Sequence, residues 1–167
     1  MSTSAPAEPT SLEALLRHRA AHADDHESGR VWLFHAHTYF DHEVPEQVTE
    51  ARAFMERVRQ TFAATSHIEV HSFVPAPIGP HLRGNFEVLF TREVLTEYVT
   101  WLMFERPPSM SILIHPLTRS QTQDHTTRPL WLGERLGVDV ALLEAVDARL
   151  LASGRSEESI IDGTRKH

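Results

Sequence analysis

Segments patterned as strands and segments patterned as helices follow one another in a fixed order along this chain, and that order constrains the fold more than any other feature. In residues 31–40, Trp32, Phe34, Ala36 and Phe40 alternate with Leu33, His35, His37 and Tyr39, the period of a strand. Residues 44–64 then carry Val48, Ala51, Phe54, Met55, Val58 and Phe62 at helical spacing. Pro45 falls in the first turn, where its missing N–H costs nothing. A second strand is predicted over 67–74, a rigid Pro- and Gly-containing loop over 75–80, and a third strand over 82–91. A helix over 93–104 stops at Pro107-Pro108. A fourth strand follows over 109–115, a loop over 116–129, and a last helix over 139–151. Strand–helix–strand–strand–helix–strand is the ferredoxin-like α+β unit. It predicts a four-stranded antiparallel sheet with the first and third strands central and both helices on one face. N- and C-terminal helical extensions flank this single domain, which spans 29–152.

The alternation assigns side chains to faces. Trp32, Phe34, Ile68, Val70, Phe86, Val88, Ile112 and Ile114 are expected under the helices. His35, His37, Tyr39, His71, Glu87 and His115 are expected on the opposite, open face, where histidines from several strands converge. Leu33, Phe73, Leu89 and Leu113 lie beside them and make a large apolar surface to leave wet. Pairing about a two-fold axis would shield it, as would the C-terminal segment around Trp131; a homodimer is expected.

The chain holds twelve histidines and no cysteine. Disulfides, Cys-rich zinc sites and thiolate nucleophiles are therefore excluded, and any metal must be held by nitrogen and oxygen. Imidazole is the commonest metal ligand and the side chain suited to proton transfer near neutral pH. His-Glu-x-x-His, a Gly-rich phosphate loop and Gly-x-Ser-x-Gly are all missing, so zinc-hydrolase, nucleotide and serine-nucleophile readings lack their motifs. Net charge is −7, with no basic stripe to meet phosphates, so no nucleic-acid partner is expected. Apolar runs are too short to span a membrane. Residues 1–28 read as a disordered or short helical extension in which a capping box at Ser11 opens a helix over 12–23. It carries His18, His22 and His26 at four-residue spacing near its polar end, and it lacks a signal peptide's basic start, so the cytoplasm is the expected compartment. Residues 153–167 read as a flexible tail.

The segments His35-Ala36-His37-Thr38-Tyr39-Phe40-Asp41, His71, Gly79-Pro80-His81, Ile114-His115-Pro116-Leu117-Thr118, Asp124-His125-Thr126 and Trp131-Leu132-Gly133, in that order, resemble the DOPA 4,5-dioxygenase family of fungi and bacteria. The resemblance implies a ferredoxin-like fold and extradiol cleavage of a catechol by non-haem iron(II) and dioxygen. Two departures stand out. This chain has Leu82 after His81 where the family often has proline, and Arg119 to Gln123 where the family has a glycine and an acidic residue.

Taken with that resemblance, His37, His81 and His115 are the expected metal ligands, with His71 and Glu87 as alternates. His125 or His35 is the expected acid–base, Tyr39 a hydrogen-bond donor, and Arg83 or Arg119 a partner for a substrate carboxylate. Iron(II) is the expected metal, although zinc or nickel can fill the same nitrogen and oxygen site. A small aromatic substrate and dioxygen are the expected partners. Two competing readings are a non-catalytic metal or small-ligand binding protein on this fold, and a metal-free α+β barrel enzyme using the histidines only as acids and bases.

Overall fold

The computed structural model describes residues 31–118 and 120–153. The N-terminal extension with its three spaced histidines, Arg119 and the tail beyond 153 lie outside the described residues. The chain runs β1 (Leu33–Phe40), α1 (Pro45–Thr61), β2 (Ile68–Val74), β3 (Gly84–Thr91), a 3₁₀ turn (Arg92–Val94), α2 (Leu95–Glu105), β4 (Ser111–Pro116), α3 (Gln121–Thr126), β5 (Leu130–Leu132) and α4 (Val140–Ser153). The sheet has five strands in the order β2-β3-β1-β4-β5, every pair antiparallel. The expected four strands thus gain a fifth: β5 pairs Leu132, Trp131 and Leu130 with Ile112, Leu113 and Ile114. Among the described residues, no helix is long and apolar enough to cross a membrane.

One face of the sheet carries the main core. α1 lowers Ala51, Phe54, Met55 and Val58, and α2 lowers Tyr98 and Leu102, onto Ala36, Phe40, Phe86, Val88, Phe90, Ile112 and Ile114. Burying each large apolar side chain contributes about 1.5–3 kcal/mol, so this face dominates the folding energy. Its aromatic packing is directional, with Phe54 stacked on Trp101 at 5.5 Å and Tyr98 edge-on to Phe90 at 4.9 Å.

Three expectations change. Phe73 joins the helix face and stacks on Phe40 at 4.8 Å, instead of facing the histidines. The cause is a bulge in β2: Val70 pairs with Val88 but Phe73 pairs with Phe86, so one extra residue reverses the alternation. Trp32 precedes β1 and packs with Leu33, Leu89 and Leu117, not under the helices, while its indole N–H reaches Glu93 at 3.0 Å. Residues 116–129 are not all loop, because they contain α3.

β1 and β3 meet closely at the Phe40–Gly84 pair. A Cβ on Gly84 would lie 2.6 Å from the Phe40 ring and 3.0 Å from the His42 Cβ. Phe40 is buried and held by Phe73, so it cannot yield cheaply. Gly84→Ala is expected to destabilise the fold by about 1–3 kcal/mol, measured by urea denaturation.

Candidate metal centre

The other sheet face is not open. Of the described residues, His35, His37, His81, His115 and His125 are only 3, 3, 8, 1 and 5 % exposed, and Leu33, Leu89 and Leu113 are fully buried. The chain covers this face itself, so the expectation of a two-fold partner over it loses its premise. β1 presents His35, His37 and Tyr39; the register sets His35 opposite His115 on β4, and His37 opposite Glu87 on β3. His81 comes from the loop before β3. There Ile78 and His81 exchange backbone hydrogen bonds at 3.0 Å around Gly79, whose φ of 56° favours glycine. A further bridge from His81 to Val138, and Asp139 N donating to Pro80 O at 2.9 Å, pin that loop to the start of α4. His125 sits on α3, not on a strand, and its ring lies 4.1 Å from that of His115 and 5.9 Å from that of His37.

His37 is the hub. Its ring neighbours those of His35, His81, His115 and His125. Among the described residues, two groups have ligand atoms mutually within 4.8 Å: His35, His37 and His115, and His37, His81 and His125. The expected set of His37, His81 and His115 is divided between them, and His35 and His125, expected as proton carriers, each enter one.

Hydrogen bonds fix several tautomers. His115 Nδ1–H donates to Pro116 O at 2.8 Å, and His125 Nδ1–H donates to Gln121 O at 2.9 Å, which leaves both Nε2 atoms as bare lone pairs. His81 Nδ1 lies 2.7 Å from the Tyr39 hydroxyl. His37 Nε2 faces His115 Nε2 at 3.2 Å, while His37 Nδ1 lies 3.8 Å from Glu87 Oε2. With its proton on Nδ1, the nitrogen on the Glu87 side, His37 turns a lone pair toward the lone pair of His115. A cation between them relieves that conflict. Two ligands about 2.0–2.1 Å from one ion are themselves about 2.9–3.4 Å apart, which matches the observed separation. The donor set therefore fits a divalent metal.

The electrostatics agree. Burial, joined by mutual repulsion among the rings, holds His37 and His115 well below the ordinary imidazole range. Burial takes His81 down to about 3 and His125 down to about 4. Burial also lowers His35, with Glu87 offsetting part of the effect. Five neutral imidazoles are the protonation state that ligation needs. Tyr39 is pushed up by burial and stays a phenol.

His71 is different. Its Nδ1 faces Glu87 Oε1 at 3.0 Å and its Nε2 faces Glu69 Oε1 at 2.9 Å. Burial opposes its charge, but hydrogen bonds and attraction from the two carboxylates outweigh burial and raise it. Glu69 is thus a partner of His71. Glu87 in turn is lowered: burial works against its ionisation, but His35 and then His71 prevail. It lies 3.4 Å from His35 Nε2. Arg83 is exposed.

The segment around Trp131, expected as one possible cover, reaches this face, with Trp131 stacked on Tyr39 at 5.9 Å; sequence reading gave no role to Asp124, which is fully buried and accepts from Thr118 N at 2.7 Å and from Arg128 at 2.8 Å. The parity of a three-residue strand carries no usable signal for Trp131. The spacing of Asp124 and Arg128 at i, i+4 could have marked a helical pair.

Residues 34–142 match the model of the Dopa 4,5-dioxygenase family. An uncharacterized 21.2 kDa protein of Botryotinia fuckeliana is 36 % identical over 126 residues, which cover 71 % of this chain and 67 % of that protein. DOPA 4,5-dioxygenase of Amanita muscaria is 31 % identical over 117 residues, 68 % of this chain, and the match spans only half (50 %) of that enzyme's length. A crystal structure described as a "putative dioxygenase" from Nostoc punctiforme aligns with a TM-score of 0.58 at 33 % identity, covering 70 % of this chain and 94 % of that one. The matched segment contains all five buried histidines, and the chain belongs to the Dopa 4,5-dioxygenase family.

Proposed function

We propose that the protein is a metal-dependent extradiol dioxygenase that opens a catechol-type aromatic ring, DOPA-like or otherwise substituted, with iron(II) as the working metal. The observation that carries this reading is the pair of facing imidazole nitrogens at 3.2 Å inside a buried, neutral histidine cluster, in a chain of this family. His37 anchors the metal because both compact groups share it. His115 and His125 are its ligand partners, since each donates Nδ1–H to a carbonyl and keeps an Nε2 lone pair, and His81 joins them with its Nδ1–H donating to the Tyr39 oxygen. Engaging the second ring nitrogen is how metal-binding histidines are commonly oriented. His71 stands outside the ligand set, with both nitrogens turned to carboxylates.

The bound metal supplies charge stabilisation and a common template for catechol oxygens and dioxygen. His35 is the proton carrier. Its Nε2 is turned to Glu87 at 3.4 Å, which leaves Nδ1 to take a catechol proton and return it. Tyr39 keeps His81 oriented through the 2.7 Å contact, and Trp131 backs Tyr39. Burial of the cluster keeps water away from the reacting groups. The strand order β2-β3-β1-β4, with α1 and α2 on one face, supports a ferredoxin-like core extended by β5.

The test is anaerobic loading with iron(II), followed by exposure to DOPA, caffeate, protocatechuate and simple catechols in air. A yellow semialdehyde product is expected from at least one of them. His35→Ala should retain the metal and slow turnover by about 10²–10⁴-fold. Loaded protein that leaves the whole panel untouched would overturn the enzyme reading in favour of a metal-binding protein.

A further inference from the structure

α3 is too short to stand alone. Six residues form less than two turns, and isolated helices of that length are not stable in water. Yet α3 carries His125, one wall of the histidine cluster. What holds it comes from α4. The Asp147 carboxylate accepts from Gln121 N at 2.7 Å through Oδ1, and from Thr122 N at 3.1 Å and Ser120 Oγ at 3.2 Å through Oδ2. Ser120 Oγ in turn accepts from Gln123 N at 3.3 Å, and Ser120 O accepts from Asp124 N at 3.0 Å. The first turn thus has its free donors capped, and a carboxylate sits where the helix dipole favours negative charge. The same Gln121 whose N–H is held by Asp147 offers its carbonyl to His125 Nδ1 at 2.9 Å. The mechanical chain from Asp147 to the imidazole is two hydrogen bonds through one residue.

We propose that Asp147 is a positioning residue: by clamping the first turn of α3 from α4, it fixes where the His125 imidazole stands and which of its nitrogens faces the centre. Asp147 lies outside residues 34–142, the part of the chain that matches the family model. The geometry of His125 is therefore set partly by a helix that the family match does not reach in full. This inference concerns the arrangement of the cluster and stands apart from the reaction proposed above.

The test uses the full chain, uniformly labelled with nitrogen-15 and studied by NMR as purified. Two buried Nδ1–H groups serve as reporters, that of His125 donating to Gln121 O and that of His115 donating to Pro116 O. In Asp147→Ala, exchange of the His125 reporter and of the Gln121 and Thr122 amides should speed up by about tenfold or more, while the His115 reporter holds. A merely structural role would move both reporters together. Asp147→Asn keeps one acceptor and the side-chain shape, so it carries the test should the alanine variant not fold. It should show the same selective change, at about half the size on a logarithmic scale. Equal exchange at both reporters, changed or unchanged, would overturn the proposal.

Discussion

His37→Ala is expected to remove the metal and the turnover together. Both compact groups of possible ligands contain His37, so among the described residues neither three-histidine set within 4.8 Å survives without it. Its ring is also the one that the others surround, at 4.1 Å from His81 and 5.3 Å from His115. Loss of an outer hydrogen-bonding partner costs about 10–100-fold in metal affinity, and loss of the shared ligand should exceed that range. Elemental analysis after loading and dialysis reads the metal directly, and the catechol assay reads turnover. The comparison with His35→Ala separates two roles on one strand: that variant should keep its metal and lose rate. Full metal content in His37→Ala would break the site as built here.

The contrast between those two histidines was legible in part. Strand alternation placed His35, His37 and Tyr39 on one face because β1 is regular and central, and its pairing with β3 and β4 has no register shift. The same logic failed for Phe73, since one bulged residue reverses every later face and leaves no mark in the alternation itself. Alternation also could not say whether a polar face is wet. The cover over this face is built from pieces too short to show a period: a six-residue helix, a three-residue strand and a turn at Gly79. Their stability comes from long-range contacts such as Asp147 to Gln121, which local propensity does not encode. Short motifs therefore mark His81 and His125, while the elements that carry them leave no periodic signal. The expected set is divided because His81 and His125 form one compact group with His37, and His35 and His115 form another.

Burial of that cluster also sets how the metal-free protein meets acid. His81 at about 3 and His125 at about 4 stand far below an unfolded imidazole near 6.5, and burial lowers His35, His37 and His115 as well. Between the folded and unfolded values the unfolded chain binds more protons. Stability is thus fully present above about pH 6.5 and falls as the pH drops toward the folded values. His125 alone, moving from 6.5 to about 4, corresponds to about 3 kcal/mol. The rings repel one another once charged, so their contributions are coupled and do not simply add. His71 has the opposite sign: raised by Glu87 and Glu69, its contribution is present below the unfolded value and lost as pH rises through the folded one. One partly exposed pair does not offset five buried rings. Glu87, lowered by His35 and His71, adds a loss in the same direction further into acid. Since domains of this size are stable by about 5–15 kcal/mol, urea midpoints measured with chelator should fall steeply from about pH 7 to about pH 5, with unfolding near pH 4. Metal loading should shift the transition to lower pH, because the ion binds the folded state and must be displaced by protons before the rings can charge. A stability profile that stays flat between about pH 7 and about pH 5 without metal would mean that the imidazoles are reached by water, and that the sheet face is not closed as described.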